Sequence, residues 1–269
     1  MKKVNFHTHT SLCNHASGTM EEYVTQAIKH GYKVLGFSDH SPWKFEDHYV
    51  SPIRMKLYEF EKYKKEFLRL KEKYKEDITL KLGLEVEYFP SLMDWLKQFV
   101  IKEELDYIIF GNHYHQIETR STYYGSITKD DEMLKAYTLS CIEGMKTNLY
   151  SYLAHPDLFM RSNRQFDDLC YWASEEIAKA SIKYDIPLEY NLEGLHYSKI
   201  ANRQEYPHDS FWKIAGRYKC KAIIGVDAHC PEAFDRGYYE QAYQDLLAYG
   251  VQIIDDIEYR KWEQKHENR

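Results

Sequence analysis

The chain has 269 residues and a mass of 32.3 kDa, enough for one large α/β domain or two small ones. Hydrophobic residues make up 43% and charged residues 29% of it, with 12 glycines and 7 prolines, which excludes a disordered or fibrous protein. The formal net charge is -6, from 36 basic and 42 acidic residues, and this balance argues against a general nucleic-acid binder.

Targeting and redox signals are weak. No run of about 18 apolar residues occurs, and the first residues, MKKVNFHTHT, contain no apolar core of a signal peptide. We therefore expect a cytoplasmic protein without a membrane partner. The five cysteines form no CxxC pair, so the sequence supports neither a disulfide framework nor a thiolate zinc site.

Short apolar runs alternate with longer segments of helical periodicity, a pattern typical of repeated β-α units around a parallel sheet. The seven predicted strands are 3–9, 34–40, 79–88, 106–113, 151–157, 186–195 and 221–229. Helices are predicted over 20–29, closed by His30 and Gly31, and over 52–75. No linker or repeat divides the chain, so one domain over 1–269 is expected, ending in a solvated helix or frayed tail at 258–269.

Six of the predicted strands carry histidine, aspartate or glutamate toward their carboxyl ends, where a barrel builds its active site. His7 and His9 are two residues apart, so both side chains point to the same side of the first strand. Asp227 and His229 repeat this spacing on the last strand. The other members of the set are His15, Asp39, His40, Glu85, Glu87, His113 and His155.

Such a cluster of imidazoles and carboxylates predicts metal binding, because burying it without compensation would be costly. A set of imidazoles and carboxylates without thiolate suits zinc, iron or manganese, and the sequence does not choose among them. Since the ligands outnumber those of one tetrahedral ion, we expect two to three divalent ions.

The segments FHTHTSLCNH, GFSDH, GLEVEY, GNHYH, LAHPD and GVDAH resemble the successive motifs of the PHP (polymerase and histidinol phosphatase) family. The chain length and the HPD and YNLEGL segments resemble most closely the histidinol-phosphate phosphatases of that family. The resemblance implies a single-domain distorted (β/α)7 barrel, in agreement with the seven predicted strands.

The resemblance also implies how three ions share the ligands. The first ion would take His7, His9, Glu85 and Asp227; the second His15, His40 and His229; the third Glu85, His113 and His155. Glu85 would therefore bridge two ions, and the G-x-E pattern of the family favours it over Glu87. Asp39 is expected to orient a ligand rather than to bind metal.

Clustered divalent ions activate water, bind phosphate oxygens and stabilise transition-state charge, as phosphomonoester hydrolysis requires. We expect no covalent enzyme intermediate, because the sequence contains neither a CxxxxxR loop nor a G-x-S-x-G elbow. Catalytic roles are assigned to Asp227 and His229, and the proton for the leaving group could come from Asp227 or from a histidine of the cluster.

Four residues are expected to contact substrate. Arg161, six residues after His155, could hold a phosphate dianion with its planar guanidinium, and Arg203 is a second candidate. For either arginine the alternative is a surface ion pair. Asn191 and His115 are the other two candidates. His48, His208 and His266 have no paired ligand and are expected at the surface.

The activity implied by the resemblance is metal-dependent hydrolysis of L-histidinol phosphate in histidine biosynthesis, with a small-molecule substrate and no nucleic-acid partner. Oligomeric state stays open. One alternative is a PHP phosphoesterase acting on phosphotyrosine or on nucleotide phosphate ends. Another is an amidohydrolase, although its bridging lysine has no counterpart in IIFGNH. A third is a non-catalytic metal-binding module, which would require an incomplete ligand set.

Overall fold

Parallel strands form the centre of the molecule. The computed structural model describes residues 2–46, 49–260 and 262. The strands are β1 Val4–Asn5, β2 Val34–Phe37, β3 Thr79–Val86, β4 Tyr107–Phe110, β5 Leu188–Asn191, β6 Lys221–Gly225 and β7 Gln252–Ile253. They form two parallel sheets, one of order β1-β2-β3-β4 and one of order β5-β6-β7.

Single parallel bridges join the two sheets into a ring. Leu153 bridges Phe110 of β4 on one side and Leu188 of β5 on the other. Thr8, beyond β1, bridges Ala228, beyond β6, and His9 N donates to Ala228 O at 2.9 Å. The segment around Leu153 is thus the fifth member of a seven-membered ring, which confirms the predicted distorted (β/α)7 barrel. The two-residue β7, which the sequence did not predict, pairs with the start of β6.

Every predicted strand is shorter in the structure or reduced to a bridge, and two of them show why. In 151–157 only Leu153 is bridged, because Pro156 has no N–H to donate and His155 adopts a positive φ of 32°. The predicted strand 186–195 ends at Asn191, whose side chain accepts from Gly194 N at 2.8 Å and caps the next helix. The YNLEGL segment is therefore a strand end followed by a helix start.

Nine α-helices lie among the described residues. They are α1 Met20–Lys29, α2 Phe60–Lys73, α3 Met93–Lys102, α4 Tyr124–Ile127, α5 Asp131–Lys146, α6 Asp168–Tyr184, α7 Leu192–Ala201, α8 Asp209–Arg217 and α9 Tyr238–Tyr249. The ends of α1 match the prediction, whereas the predicted helix 52–75 begins only at the 3₁₀ turn Leu57–Glu59. Within the described ranges, no helix is both long enough and apolar enough to cross a bilayer.

The barrel interior is filled beneath the strand ends. Along β4, Tyr107 and Ile109 belong to an inner cluster, whereas Ile108 and Phe110 belong to the outer core under the helices. The Tyr107 hydroxyl donates to Phe6 O at 2.8 Å. Its ring lies so close to Gly83 that a Cβ there would be 2.5 Å from it, so this site requires glycine. The polar groups at the carboxyl ends of the strands therefore lie above a packed apolar interior.

Of the two expectations for the chain end, a solvated helix or a frayed tail, the helix is not formed within the described part. Residues 258–260 and 262 have no regular secondary structure, and Trp262 Nε1 donates to Leu149 O at 3.2 Å. His48 and His266 lie outside the described residues.

Candidate metal centre and active site

A cavity of about 380 Å³ opens at the carboxyl ends of the strands. Eight of the nine predicted metal ligands line it, and His7 lies fully buried beneath His9. The eight are His9, His15, His40, Glu85, His113, His155, Asp227 and His229. Residues spread over 223 positions of the sequence therefore meet at one end of the barrel.

One group of ligand atoms lies at the base of the cavity. His7 Nε2 and His9 Nε2 are 3.1 Å apart, and Asp227 Oδ1 lies 3.3 and 3.2 Å from them. The Glu85 carboxylate lies 3.5 Å from each of the two Nε2 atoms. These four residues form the grouping expected for the first ion.

The other two expected groupings flank this base. His15 Nε2 and His229 Nε2 are 3.0 Å apart, and His40 offers a ligand atom within 4.8 Å of both. On the other side, Glu85 Oε1 lies 3.2 Å from His113 Nε2 and 2.9 Å from His155 Nε2. Glu85 Oε2 also lies 3.0 Å from His40 Nδ1, so this carboxylate touches all three groupings.

Hydrogen bonds at the back of the rings fix which ring nitrogen faces the cavity. The Nδ1 atoms of His7 and His113 donate to Glu189 and Glu87 at 2.8 and 3.0 Å. Those of His15 and His229 donate to backbone carbonyls at 2.8 and 3.0 Å. Their Nε2 lone pairs consequently point into the groupings, as in metal-ligating histidines. His15 Nε2 and His229 Nε2 then face each other at 3.0 Å, where only a cation or an extra proton removes the repulsion.

The pKa values of the histidines reflect the charges packed around them. Burial alone would lower the pKa of His7, yet Asp227, Glu189 and Glu85 raise that pKa well above its ordinary value. Burial would likewise lower the pKa of His113, but its two glutamates raise it to about 9. For His229, burial and the neighbouring His9 lower the pKa to about 3, so the histidines of the cluster depart from their ordinary pKa in both directions.

Two ligand residues have a strained backbone. Asp227 and His155 adopt φ angles of 51° and 32°, in the left-handed region that favours glycine. Such strain costs roughly 1–3 kcal/mol and concentrates at functional sites.

Glu87, the other glutamate of the GLEVEY segment, faces away from the base of the cluster. Its carboxylate accepts from Arg54 at 2.8 and 3.2 Å and from Trp43 Nε1 at 2.8 Å, besides His113. Arg54 is 3% exposed and also pairs with the buried Glu118, its Nε lying 2.8 Å from Glu118 Oε2. Sequence reasoning missed Arg54, because its partners lie 33 and 64 positions away.

Further residues support the ligands from behind. Asp39 accepts from Thr10 N at 3.1 Å and lies 3.4 Å from His9 Nδ1, a position that suits the orienting role expected of it. The sequence did not predict a site role for Glu189. Besides contacting His7, its carboxylate accepts hydrogen bonds from His155 N at 3.1 Å and from Asn191 Nδ2 at 2.9 Å. Its spacing of two from Asn191 on one strand was the available signal.

The thiol of Cys13 is also part of this region. It forms a further group with His9 and His229, whose ligand atoms all lie within 4.8 Å of one another. Burial would raise the thiol pKa, but His15 and His9 lower it. The spacing of the cysteines gave no indication of this placement.

One cationic side chain stands in the cavity wall. Arg161 Nη1 donates to the Tyr123 hydroxyl at 3.0 Å, and its guanidinium lies 5.5 and 5.6 Å from the ring centres of Tyr123 and Tyr197. Two aromatic faces thus hold the guanidinium in place beside the histidine cluster.

The other three residues expected to contact substrate do not line this cavity. Arg203 pairs with Glu205, and its side chain is half exposed. His115 Nδ1 lies 3.0 Å from the Tyr124 hydroxyl. Asn191 is buried and donates to Asp227 Oδ2 at 3.0 Å, so its contact is with a ligand residue.

Known proteins resemble the chain in sequence and in fold. The chain is 27% identical over 243 residues to a protein of Deinococcus radiodurans described as a probable histidinol-phosphatase, covering 84% of this chain and 85% of the relative. It is 26% identical to the histidinol-phosphatase of Bacillus subtilis, covering 90% and 98%.

A solved structure matches with a TM-score of 0.72 at 20% identity, covering 94% of this chain and 95% of the other. That structure is the histidinol phosphate phosphatase of Lactococcus lactis complexed with zinc, L-histidinol and phosphate. The family model of the PHP domain matches residues 5–193, more than half of the chain. The motifs, the ring of parallel strands and this match together show that the chain belongs to the PHP family.

Proposed function

We propose that the chain is a metal-dependent histidinol-phosphatase, a phosphoric monoester hydrolase that converts L-histidinol phosphate to L-histidinol and phosphate in histidine biosynthesis. The observation that carries the proposal is the shared cavity of the histidine–carboxylate cluster and Arg161. The relatives from two organisms that carry this name support it, as does the L. lactis structure with L-histidinol and phosphate. A single domain over 1–269 would perform the reaction in the cytoplasm on a small-molecule substrate.

The donor set fits two to three divalent ions. His7, His9, Glu85 and Asp227 would hold one; His15, His40 and His229 a second; Glu85, His113 and His155 a third. The bound zinc of the L. lactis protein supports zinc, and imidazole with carboxylate also suits iron or manganese. Such ions supply Lewis acidity and an activated water.

The side chains of the cavity bind and orient the phosphate. Arg161 can direct its remaining N–H groups at two phosphate oxygens, because Tyr123 and Tyr197 restrict its rotation. This cation offsets the repulsion between a phosphate dianion and the buried carboxylates Glu85 and Asp227. Substrate would therefore lie with its phosphate between the cluster and Arg161.

The leaving alkoxide requires a proton. Asp227 and His229 line the cavity side by side, with His229 Nδ1 3.4 Å from Asp227 Oδ1. Asn191 holds the other Asp227 oxygen at 3.0 Å. We assign to this pair the orientation of a cavity water that passes a proton to the leaving oxygen.

A phosphate-release assay tests the proposal directly. Purified metal-loaded protein should hydrolyse L-histidinol phosphate with a kcat/KM well above that for phosphotyrosine or a nucleoside monophosphate. Elemental analysis of the same sample should find zinc, iron or manganese. Preference for phosphotyrosine or nucleotides would contradict the substrate assignment, and failure on every phosphomonoester would contradict the reaction class.

A further inference from the structure

One carboxylate stands in the cavity wall apart from the histidine cluster. Among the described residues that line the cavity, the carboxylates are Glu85, Glu193 and Asp227. Glu85 and Asp227 both lie against histidines of the cluster. Glu193 is in the first turn of α7 and is 5% exposed. No ligand grouping includes it.

Glu193 is held by an arginine from another element. Its Oε2 accepts from Nη1 of Arg236, which follows the 3₁₀ helix Pro231–Asp235, and Arg236 Nη2 also contacts Cys230 Sγ at 3.5 Å. This contact and the neighbouring Tyr197 side chain orient the carboxylate, whose remaining lone pairs can accept another donor. Arg236 itself is not among the residues lining the cavity.

The cavity wall thus carries both signs of charge. Arg161 and Glu193 both line it, and so does Tyr197, whose ring lies against the Arg161 guanidinium. The substrate of the proposed function is itself of mixed charge, since L-histidinol phosphate carries an ammonium group on the carbon next to the phosphorylated CH2. A phosphate held near Arg161 leaves that ammonium to be matched by an anion.

We propose that Glu193 accepts the ammonium group of the substrate and so selects phosphomonoesters that carry a neighbouring cationic amine. This inference rests on the proposed function. The carboxylate is nearly buried, so a charge-assisted hydrogen bond to it is screened little by solvent. Arg236 contacts the carboxylate from outside the cavity, and Gln at position 236 can still donate an N–H to Glu193 Oε2.

The test compares two substrates on the metal-loaded enzyme. They are L-histidinol phosphate and its deaminated analogue, 3-(imidazol-4-yl)propyl phosphate, and the variants are Glu193→Gln and Arg236→Gln. The wild-type enzyme should prefer the amine by roughly 10- to 100-fold in kcat/KM, the range for a hydrogen bond to a charged group. Glu193→Gln should lose most of this preference, mainly through a higher KM for the amine.

Arg236→Gln separates recognition from a merely structural ion pair. Both variants break the same pair, so both should lower the melting temperature to a similar extent. Only Glu193→Gln should change the preference between the two substrates, and Arg236→Gln should retain it. Equal loss of preference in both variants, or an unchanged preference in Glu193→Gln, would overturn the assignment.

Failure of this inference differs from failure of the proposed function. Equal hydrolysis of both substrates by the wild-type enzyme would overturn ammonium recognition and leave histidinol-phosphatase activity in place. Hydrolysis of neither substrate would overturn both.

Discussion

The side chains of the expected metal ligands are held in place by hydrogen bonds from the residues behind them. Glu189 alone contacts the His7 ring at 2.8 Å, the His155 backbone N–H at 3.1 Å and Asn191 at 2.9 Å. Because these acceptors set both the position and the tautomer of the rings, little reorganisation accompanies metal binding. A single ligand substitution should therefore affect the chemistry more than the fold.

His7→Ala and Asp227→Ala should each abolish hydrolysis of L-histidinol phosphate while the protein stays folded. Each removes a donor from the base of the cluster, where His7 Nε2 and Asp227 Oδ1 are 3.3 Å apart. Phosphate release in metal-replete buffer and circular dichroism measure the two effects. His30→Ala, which changes a histidine at the end of α1 outside the cluster, is the control and should remain active. Turnover close to wild type in either ligand variant would remove that residue from the site.

Arg161→Ala should lower kcat/KM by roughly 10²-fold or more, because a bidentate contact with a partly desolvated dianion is worth about 3 kcal/mol. Arg161→Lys should recover only part of the loss, since an ammonium lacks the planar fork. Steady-state kinetics and metal analysis of the same preparations are the measurements. Arg217→Ala is a matched control, because its guanidinium also lies over a tyrosine ring, that of Tyr171 at 5.2 Å, outside the cavity.

Two outcomes would contradict the role given to Arg161. Unchanged kcat/KM in Arg161→Ala would mean that the guanidinium only packs between Tyr123 and Tyr197. Loss of metal would mean that it supports the segment that carries His155 instead of holding phosphate.

The sequence predicted the positions of site residues best where a recognisable motif lies at the end of a strand. The i,i+2 spacing of His7 and His9 places both rings in one grouping, as expected. Arg54 gave no such signal, because its role depends on ion pairs with Glu87 and Glu118, which approach it only in the folded chain. Arg203 and Arg161 were both candidates for phosphate binding, and the folded chain separates them. Arg161 packs against Tyr123 and Tyr197 in the cavity wall, whereas Arg203 pairs with Glu205.

At the scale of elements, apolar runs predicted the positions of six of the strands. They did not predict where a strand stops, because that depends on local hydrogen bonds such as the cap of Asn191 on Gly194. The segment 52–56 has helical periodicity but forms a loop, in which Arg54 Nη1 donates to Ser41 O at 3.0 Å. A buried ion-pair network there overrides the local preference for helix.

Arg54→Met should lower the free energy of unfolding by roughly 3–5 kcal/mol, because it leaves the buried Glu87 and Glu118 without their cation. Urea unfolding of the metal-stripped protein measures this without a contribution from metal binding. Arg69→Met is the control: Arg69 also pairs with two carboxylates, but its side chain is 48% exposed and those of Glu21 and Glu66 are 30% and 37% exposed, so a loss below about 1 kcal/mol is expected. Equal losses in the two variants would contradict the role of Arg54 as the shared partner of two buried glutamates.

For the whole molecule, the barrel brings seven strand ends to one rim, while its interior is filled beneath them. The inner cluster, which includes Phe6, Tyr107 and Ile109, closes the ring below the histidines. The outer core extends under the helices on the other face of the strands. Apolar burial of this extent holds the fold, so the metal site adds chemistry to a structure that is already stable.

Removal of metal should consequently abolish activity without unfolding the chain. Elemental analysis of the purified protein should find between two and three divalent ions per chain, and a chelator should remove them together with all phosphatase activity. Circular dichroism of the stripped protein should keep its α/β signal, with a melting temperature lowered because the ions stabilise only the state that binds them. Zinc, manganese or iron added back separately should restore hydrolysis and identify the active metal. A single ion at full occupancy would contradict the shared-ligand cluster, and unfolding on chelation would mean that the carboxylate-rich rim cannot tolerate its own charge without the ions.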